Sequence, residues 1–366
     1  MIGRIVAALL LAPCSLLAQA AAAHDSTRTV TWGAFVDAYY AWDANRPGPG
    51  NFDRAFTTQP ARQDEFNVNL AFVEVKLAGA RTRGRLALQA GTSVQSNYAG
   101  EPRTGSVSGP DLARHVQEAV VGVRAAQALW VDAGIYLSHI GQESWISRDD
   151  PTYTRSLIAE YSPYYETGVK ATWAASAKLT VQLHLLNGWQ NIAESNRAKA
   201  LGLRLDYAAS PHLTVGYANF LGNEAPDTAR ARTRVFNEAY LAWSAGPLGV
   251  WLTVDHGLQG RGPASGTSSW YGGAAIARVR LSPTVALAGR LERYADPDGV
   301  IIAAGTAGAF VANGASVGVD VDAGGGALWR TELRGYRASH AVFPLRGGAG
   351  SSREDAFVVS SLALTF

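Results

Sequence analysis

The stretch Leu129-Trp130-Val131-Asp132-Ala133-Gly134-Ile135-Tyr136-Leu137-Ser138 alternates without a break. Leu129, Val131, Ala133, Ile135 and Leu137 share one face, and Trp130, Asp132, Gly134, Tyr136 and Ser138 share the other. Side chains along a β-strand point alternately to opposite sides, so this period of two predicts a strand with one apolar and one polar face. The same division separates Leu179, Val181, Leu183 and Leu185 from Thr180, Gln182 and His184. It separates Leu201, Leu203, Leu205 and Tyr207 from Gly202, Arg204 and Asp206, and Val317, Val319 and Val321 from Asp320 and Asp322. Each segment is about ten residues long, enough to cross a bilayer when tilted. Alternation alone also suits a secreted, soluble all-β protein whose polar face is its exterior.

The connections between strands favour the membrane. Sixteen strand-like segments can be counted, ending at Phe366, and their connections alternate short and long. The short ones are Ala78–Arg83, Ala125–Ala128, Ala174–Lys178, Ala209–His212, Ala245–Gly249, Ser282–Thr284 and Ala323–Ala327. Ser210-Pro211, Gly246-Pro247 and Ser282-Pro283 place a proline where its fixed φ presets a turn. The long ones run through Ala44–Arg62, Asn97–Arg114, Ile140–Leu157, Trp189–Ala198, Asn223–Arg234, Gln259–Ser268, Asp296–Gly314 and His340–Glu354. Compact soluble domains rarely carry so many long loops. A transmembrane antiparallel β-barrel does, with short periplasmic turns, long extracellular loops and an even strand number. The expected fold is therefore all-β, a barrel of sixteen strands.

Aromatic residues near strand ends support an interfacial girdle. These are Tyr39, Tyr40, Trp42, Tyr161, Tyr164, Tyr165, Trp173, Trp243, Trp270, Tyr271 and Tyr294. The final segment, Asp355–Phe366, puts Val358, Leu362, Leu364 and Phe366 on one face and closes on an aromatic residue. At the other end, Arg4, the apolar run Ile5–Leu17 and the small-residue sites Ala18-Gln19-Ala20 and Ala21-Ala22-Ala23 predict a cleaved signal peptide over residues 1–23. The barrel would then occupy 24–366. Cys14 is the only cysteine, so the mature chain would have no disulfide and no thiolate chemistry. A net charge of +2 and the absence of a basic run argue against nucleic-acid binding.

Little in the chain points to catalysis or cofactors. Gly324-Gly325-Gly326 joins two strands without the Lys-Ser/Thr of a P-loop, and no Gly-x-Ser-x-Gly elbow occurs. His115, His139, His184, His212, His256 and His340 lack metal-ligand spacing. No catalytic, metal or cofactor residue is therefore expected. More informative are the charges on the polar face. With the apolar face outward, Lys170, Arg204, Arg278, Arg280, Arg290, Arg330, Arg334, Glu292 and Glu332 become candidate pore-lining residues, and Arg83, Arg85, Asp37, Asp132, Asp206, Asp320 and Asp322 also point inward. A basic wall of this kind opposed by acids on an inserted loop would produce a transverse field at a constriction. The stretch Gly141–Pro151 is the candidate loop, with Glu143, Arg148, Asp149 and Asp150 as its charged residues; a solvated external loop is the alternative.

The chain resembles a known family, the OmpL-like β-barrel porins of Gram-negative bacteria, strongly over roughly half its length around the centre and loosely over the rest. The likeness is carried by Leu112–Ala119, Leu129–Tyr136, Ser138–Gly141, Glu143–Asp149, Tyr153–Leu157, Tyr161–Tyr165, Leu185–Asn191 and Asn219–Glu224. It weakens in the C-terminal third, where Ala303–Gly314 is rich in alanine and glycine. The resemblance implies an outer-membrane location and a pore, and supplies no substrate and no catalytic residues. The expected function is a water-filled channel for passive diffusion of small hydrophilic solutes or ions, in contact with outer-membrane lipid and plausible as a homotrimer. A loop-plugged structural or adhesive barrel and an outer-membrane hydrolase are the alternatives.

Overall fold

Alternating strands in hydrocarbon must satisfy every backbone amide within the sheet, which only closure achieves. The computed structural model, which describes residues 28–47, 52–262, 266–305 and 310–366, is closed in this way. The expected signal peptide, 1–23, lies outside the described residues. The barrel strands are β1 (Thr29–Asp43), β2 (Phe66–Ala78), β3 (Thr82–Ala90), β4 (Val116–Ala126), β5 (Leu129–Leu137), β6 (Tyr165–Ala174), β7 (Leu179–Leu186) and β8 (Ala200–Ser210). They continue as β9 (Leu213–Asn223), β10 (Thr233–Ala245), β11 (Leu248–Gly260), β12 (Thr267–Arg280), β13 (Val285–Asp296), β14 (Phe310–Gly324), β15 (Ala327–Ala338) and β16 (Glu354–Thr365). Each pairs antiparallel with its neighbours in sequence, and β16 closes on β1, with Phe35 opposite Thr365 and Asp43 opposite Phe357.

The seven short turns fall where the sequence places them. The second long loop begins earlier than expected, because Thr92–Asn97 forms a short helix packed inside the wall. The apolar face is bare: Val121 is 70% and Leu291 is 68% exposed, as hydrocarbon-facing residues are in an isolated barrel. Two stacked sheets would instead bury these side chains against each other. The charged face is turned inward. Strands β3 to β7 have 8 to 11 residues, whereas β10 to β15 have 12 to 15, so one side of the wall is lower.

The aromatic girdle needs correction. Tyr40, Trp42, Trp173, Trp243 and Tyr271 lie on the outer face, but Tyr39, Tyr164, Tyr165, Trp270 and Tyr294 are buried inside. The pleat explains the split, since neighbours such as Tyr39 and Tyr40 must point to opposite sides. Gly134 answers a different need. Its φ is 134°, and a Cβ there would stand 2.1 Å from the Ala119 carbonyl oxygen, so no larger residue fits where β5 meets β4.

Candidate functional site in the lumen

The segment between β5 and β6, residues 138–164, does not remain outside. Its hydrogen bonds reach strands all round the barrel. Gly141 N donates to Glu238 of β10 (2.9 Å), and Gln142 donates to Thr253 of β11 (2.7 Å). Trp145 Nε1 donates to Gln89 of β3 (3.1 Å), and Ser147 donates to Asp37 of β1 (2.8 Å). Thr154 donates through N and Oγ1 to Glu332 of β15 (2.7 and 2.9 Å), and Leu157 N donates to Glu292 of β13 (2.6 Å). Only a chain threaded through the interior can touch all six strands. Its depth is set by Arg148, whose Nη1 donates to the Gly326 carbonyl and to Thr365 Oγ1 (2.8 Å), at the rim that carries the short turns.

The arginines of β13 and β15 hold this segment. Arg290 donates to Thr152 Oγ1 (2.8 Å) and Thr154 Oγ1 (2.7 Å), and its guanidinium lies 3.1 Å from Glu332 and 3.4 Å from Glu292. Arg334 pairs with Glu292 (2.7 Å) and donates to Thr154 Oγ1 (3.0 Å). Arg330 pairs with Asp320 (2.8 Å) and donates to the carbonyls of Ser147 and Asp150. A planar guanidinium suits this task because its five donors can serve a carboxylate and several carbonyls together. Arg290, Arg330, Arg334, Glu292 and Glu332 were expected to line the pore. They are on the inner wall, but the segment covers them, and none borders open lumen.

The remaining candidates stand differently. Lys170 is half-buried with its ammonium 4.5 Å from the Tyr136 ring. Arg204 pairs with Asp206 (2.9 Å) and donates to the His139 carbonyl (2.8 Å), bracing the start of the inserted segment. Arg278 pairs with Asp320 (2.9 Å) and Arg280 is exposed at the turn-side rim. Within the segment, Glu143 turns back to cap Ser156, and Asp150 accepts from Ser144 N. Burial raises both carboxyls above their ordinary range. Asp149 alone of the segment's expected acids is exposed. Burial of its surroundings raises its carboxyl, opposed by the positive charges of Arg148, Arg85 and Lys76. Lys76 and Arg85 belong to β2 and β3 and are themselves paired with Glu74 (2.7 and 2.6 Å), so the charges acting on this acid come from a wall of mixed sign rather than from Arg278 and Arg290.

Other loops close over the segment from the long-loop end. Thr58 donates to Glu160 (2.6 Å), Gln59 donates to the Tyr153 carbonyl (2.8 Å), and Arg155 lies 4.0 Å from the Tyr164 ring centre. Trp189 packs edge-on against Phe220 and Phe236 (5.0 Å each), and Phe56 packs tilted against Phe310 (4.6 Å). These aromatic contacts give the lumen an apolar core of its own. None of these anchors was visible in the sequence, beyond the polarity of their inward strand positions.

A barrel with charged side chains inside and a polypeptide segment fixed in its bore has the architecture of a diffusion channel. Residues 29–366 match the family described as "Putative beta-barrel porin-2, OmpL-like". The chain belongs to this family. It is a porin of the outer membrane. Solved structures agree on the fold. The anion-selective porin of Comamonas acidovorans superposes with a TM-score of 0.58 at 12% identity, covering 93% of this chain and 100% of that one. The trimer form of in-vitro folded OmpT, an outer membrane protein of Vibrio cholerae, gives 0.60 at 10% identity, with 93% and 99% covered. The outer membrane channel DcaP of Acinetobacter baumannii gives 0.60 at 10% identity, with 94% and 99% covered. No match is found among curated proteins.

Proposed function

We propose that this porin passes small hydrophilic solutes or ions by diffusion, and that residues 141–157 narrow the path to an eyelet where Asp149 faces Lys76 and Arg85. The supporting observation is the inserted segment itself, fixed by hydrogen bonds to buried, ion-paired wall residues while Asp149 stays exposed. A sixteen-stranded barrel is wide enough for an aqueous lumen, so the inserted chain decides what passes. Opposed charges across a narrow opening orient dipolar solutes and exclude apolar ones, whose water would be costly to reorganise. Passage of this kind needs no catalytic step and no cofactor.

Purified protein in planar bilayers is expected to give discrete conductance steps. Their absence would replace the channel with a loop-plugged structural barrel. Substituting Arg278→Ala and Arg280→Ala together is expected to move the reversal potential toward cations, since both lie toward the turn-side mouth. An unchanged potential would remove them from the ion path. The low wall of β3 to β7 supports a homotrimer, because protein packed there would relieve a mismatch between short strands and hydrocarbon thickness. The mass of the detergent-solubilised particle should then correspond to three chains, and a single-chain mass would overturn the trimer.

A further inference from the structure

We propose that His139, Glu166 and His184 bind one divalent transition-metal ion of the zinc(II), nickel(II) or copper(II) class, clamping the root of the inserted segment to the wall. His139 follows β5, Glu166 lies on β6 and His184 on β7, and all three are buried inside the barrel. One ligand atom from each can be chosen so that all lie within 4.8 Å of one another. His139 Nδ1 is 2.8 and 2.9 Å from the two Glu166 oxygens, and His184 Nδ1 is 3.8 Å from Oε2. The imidazole rings stack with centres 4.2 Å apart.

The hydrogen bonds on the far side of each ring carry the inference. His139 Nε2 is 2.7 Å from the Asn219 carbonyl, which can only accept, so that nitrogen carries a proton. His184 Nε2 is 3.2 Å from Gln182 Oε1, another acceptor. His139 therefore donates from Nε2, His184 can donate from Nε2 to Gln182, and both turn Nδ1 toward the same carboxylate. Two nitrogen lone pairs facing an anion repel unless a cation lies between them. A proton on His139 satisfies the shorter contact and leaves His184 Nδ1, 3.8 Å from the carboxylate, with only the Tyr136 hydroxyl at 3.5 Å as a donor among the described residues. One metal ion satisfies all three groups. Outer-face N–H donation to a carbonyl is also the arrangement that orients metal-bound histidines.

Two imidazoles and one carboxylate suit this class of ion, with bonds of about 2.0–2.2 Å. Tetrahedral bonds of this length separate ligand atoms by about 3.3 Å, between the 2.8 Å from His139 and the 3.8 Å from His184 to Glu166. Tyr136 OH, 3.5 Å from His184 Nδ1, and Ser138 Oγ, 3.0 Å from Glu166 Oε1, complete the polar surroundings. A dication would offset the Glu166 carboxylate; of the cations beside the site, Arg204 is already paired with Asp206 (2.9 Å) and Lys170 stands over the Tyr136 ring.

Untagged protein, stripped with chelator and refolded in detergent with zinc chloride, is expected to retain one zinc per chain after dialysis, by elemental mass spectrometry. His184→Gln and Glu166→Gln are expected to lower this to background while the barrel keeps its heat-modifiable gel migration. Zinc held equally by wild type and variants, or no zinc in the wild type, would overturn the site. Should the variants fail to fold, the electron paramagnetic resonance spectrum of copper(II) bound to the wild type decides: coupling to two imidazole nitrogens supports the site, and its absence overturns it.

Discussion

Substituting Arg290→Met and Arg334→Met together is expected to release the inserted segment and raise single-channel conductance several-fold. Both guanidinium groups are buried, and between them they neutralise Glu292 and Glu332 and hold the Thr152 and Thr154 hydroxyls and the Thr154 carbonyl. Removing one partner of a buried pair typically costs about 3–5 kcal/mol, because the other charge is left without compensation. Methionine fills similar volume but donates nothing, so Glu292 and Glu332 must either take up protons or draw water between segment and wall. Water there competes for Thr154 N and Leu157 N, the two amides that anchor the segment to the same carboxylates. The barrel itself should persist, since its ladder hydrogen bonds do not involve these side chains. Noisy, enlarged channels with unaltered heat-modifiable migration are the expected result. Channels of wild-type size from an intact barrel would show that Arg330, Glu238 and the aromatic packing suffice to hold the segment.

That network marks the boundary of what a single sequence discloses. The wall was legible because period two is a local signal, repeated independently in Leu129–Ser138, Leu179–Leu186 and Val317–Asp322. Closure followed from the alternation of short and long connections. The inserted segment was legible as a candidate, and many of its attachments fall within the expected Gly141–Pro151, at Gly141, Gln142, Trp145, Ser147 and Arg148, whereas those to Glu332 and Glu292 lie just beyond it, at Thr154 and Leu157. Its contacts join residues far apart in the chain: Thr154 meets Glu332 and Arg148 meets Gly326, each pair 178 positions apart. No periodicity links such positions. Inward direction was correctly inferred for Arg290, Arg330 and Arg334, but direction does not reveal whether a side chain meets water or a loop. Tyr39 and Trp270 show the same limit, since aromatic character near a strand end fits a girdle and a lumen core equally. Glu166 and its two histidines escaped because strand order alone does not give the register that brings Glu166 of β6 near His184 of β7, nor the inward bend after β5 that brings in His139.

Asp149 tests the opposite surface of that segment, the one that faces open lumen. Asp149→Arg changes the local charge by two units opposite Lys76 and Arg85. At about 7 Å from a passing ion, in a water-like dielectric, two units alter its energy by roughly 1.2 kcal/mol, with opposite sign for anions and cations. Salt at about 0.1 M screens part of this over a similar distance, which leaves a several-fold rise in the anion-to-cation permeability ratio. Asp149→Asn should give about half the change in free energy, without the added repulsion from Arg148. Acidity supplies an independent check. The Asp149 carboxyl is raised above its ordinary range, so lowering the pH protonates it before a solvated aspartate would respond. The wild type should therefore become more anion-preferring at that step, and Asp149→Asn, having no proton to gain there, should lack it. Reversal potentials under a salt gradient, taken across pH for all three proteins, measure both effects. If charge reversal at Asp149 leaves the ratio unchanged while conductance stays normal, the eyelet is not where Asp149 faces β2 and β3, and ions pass along another part of the wall.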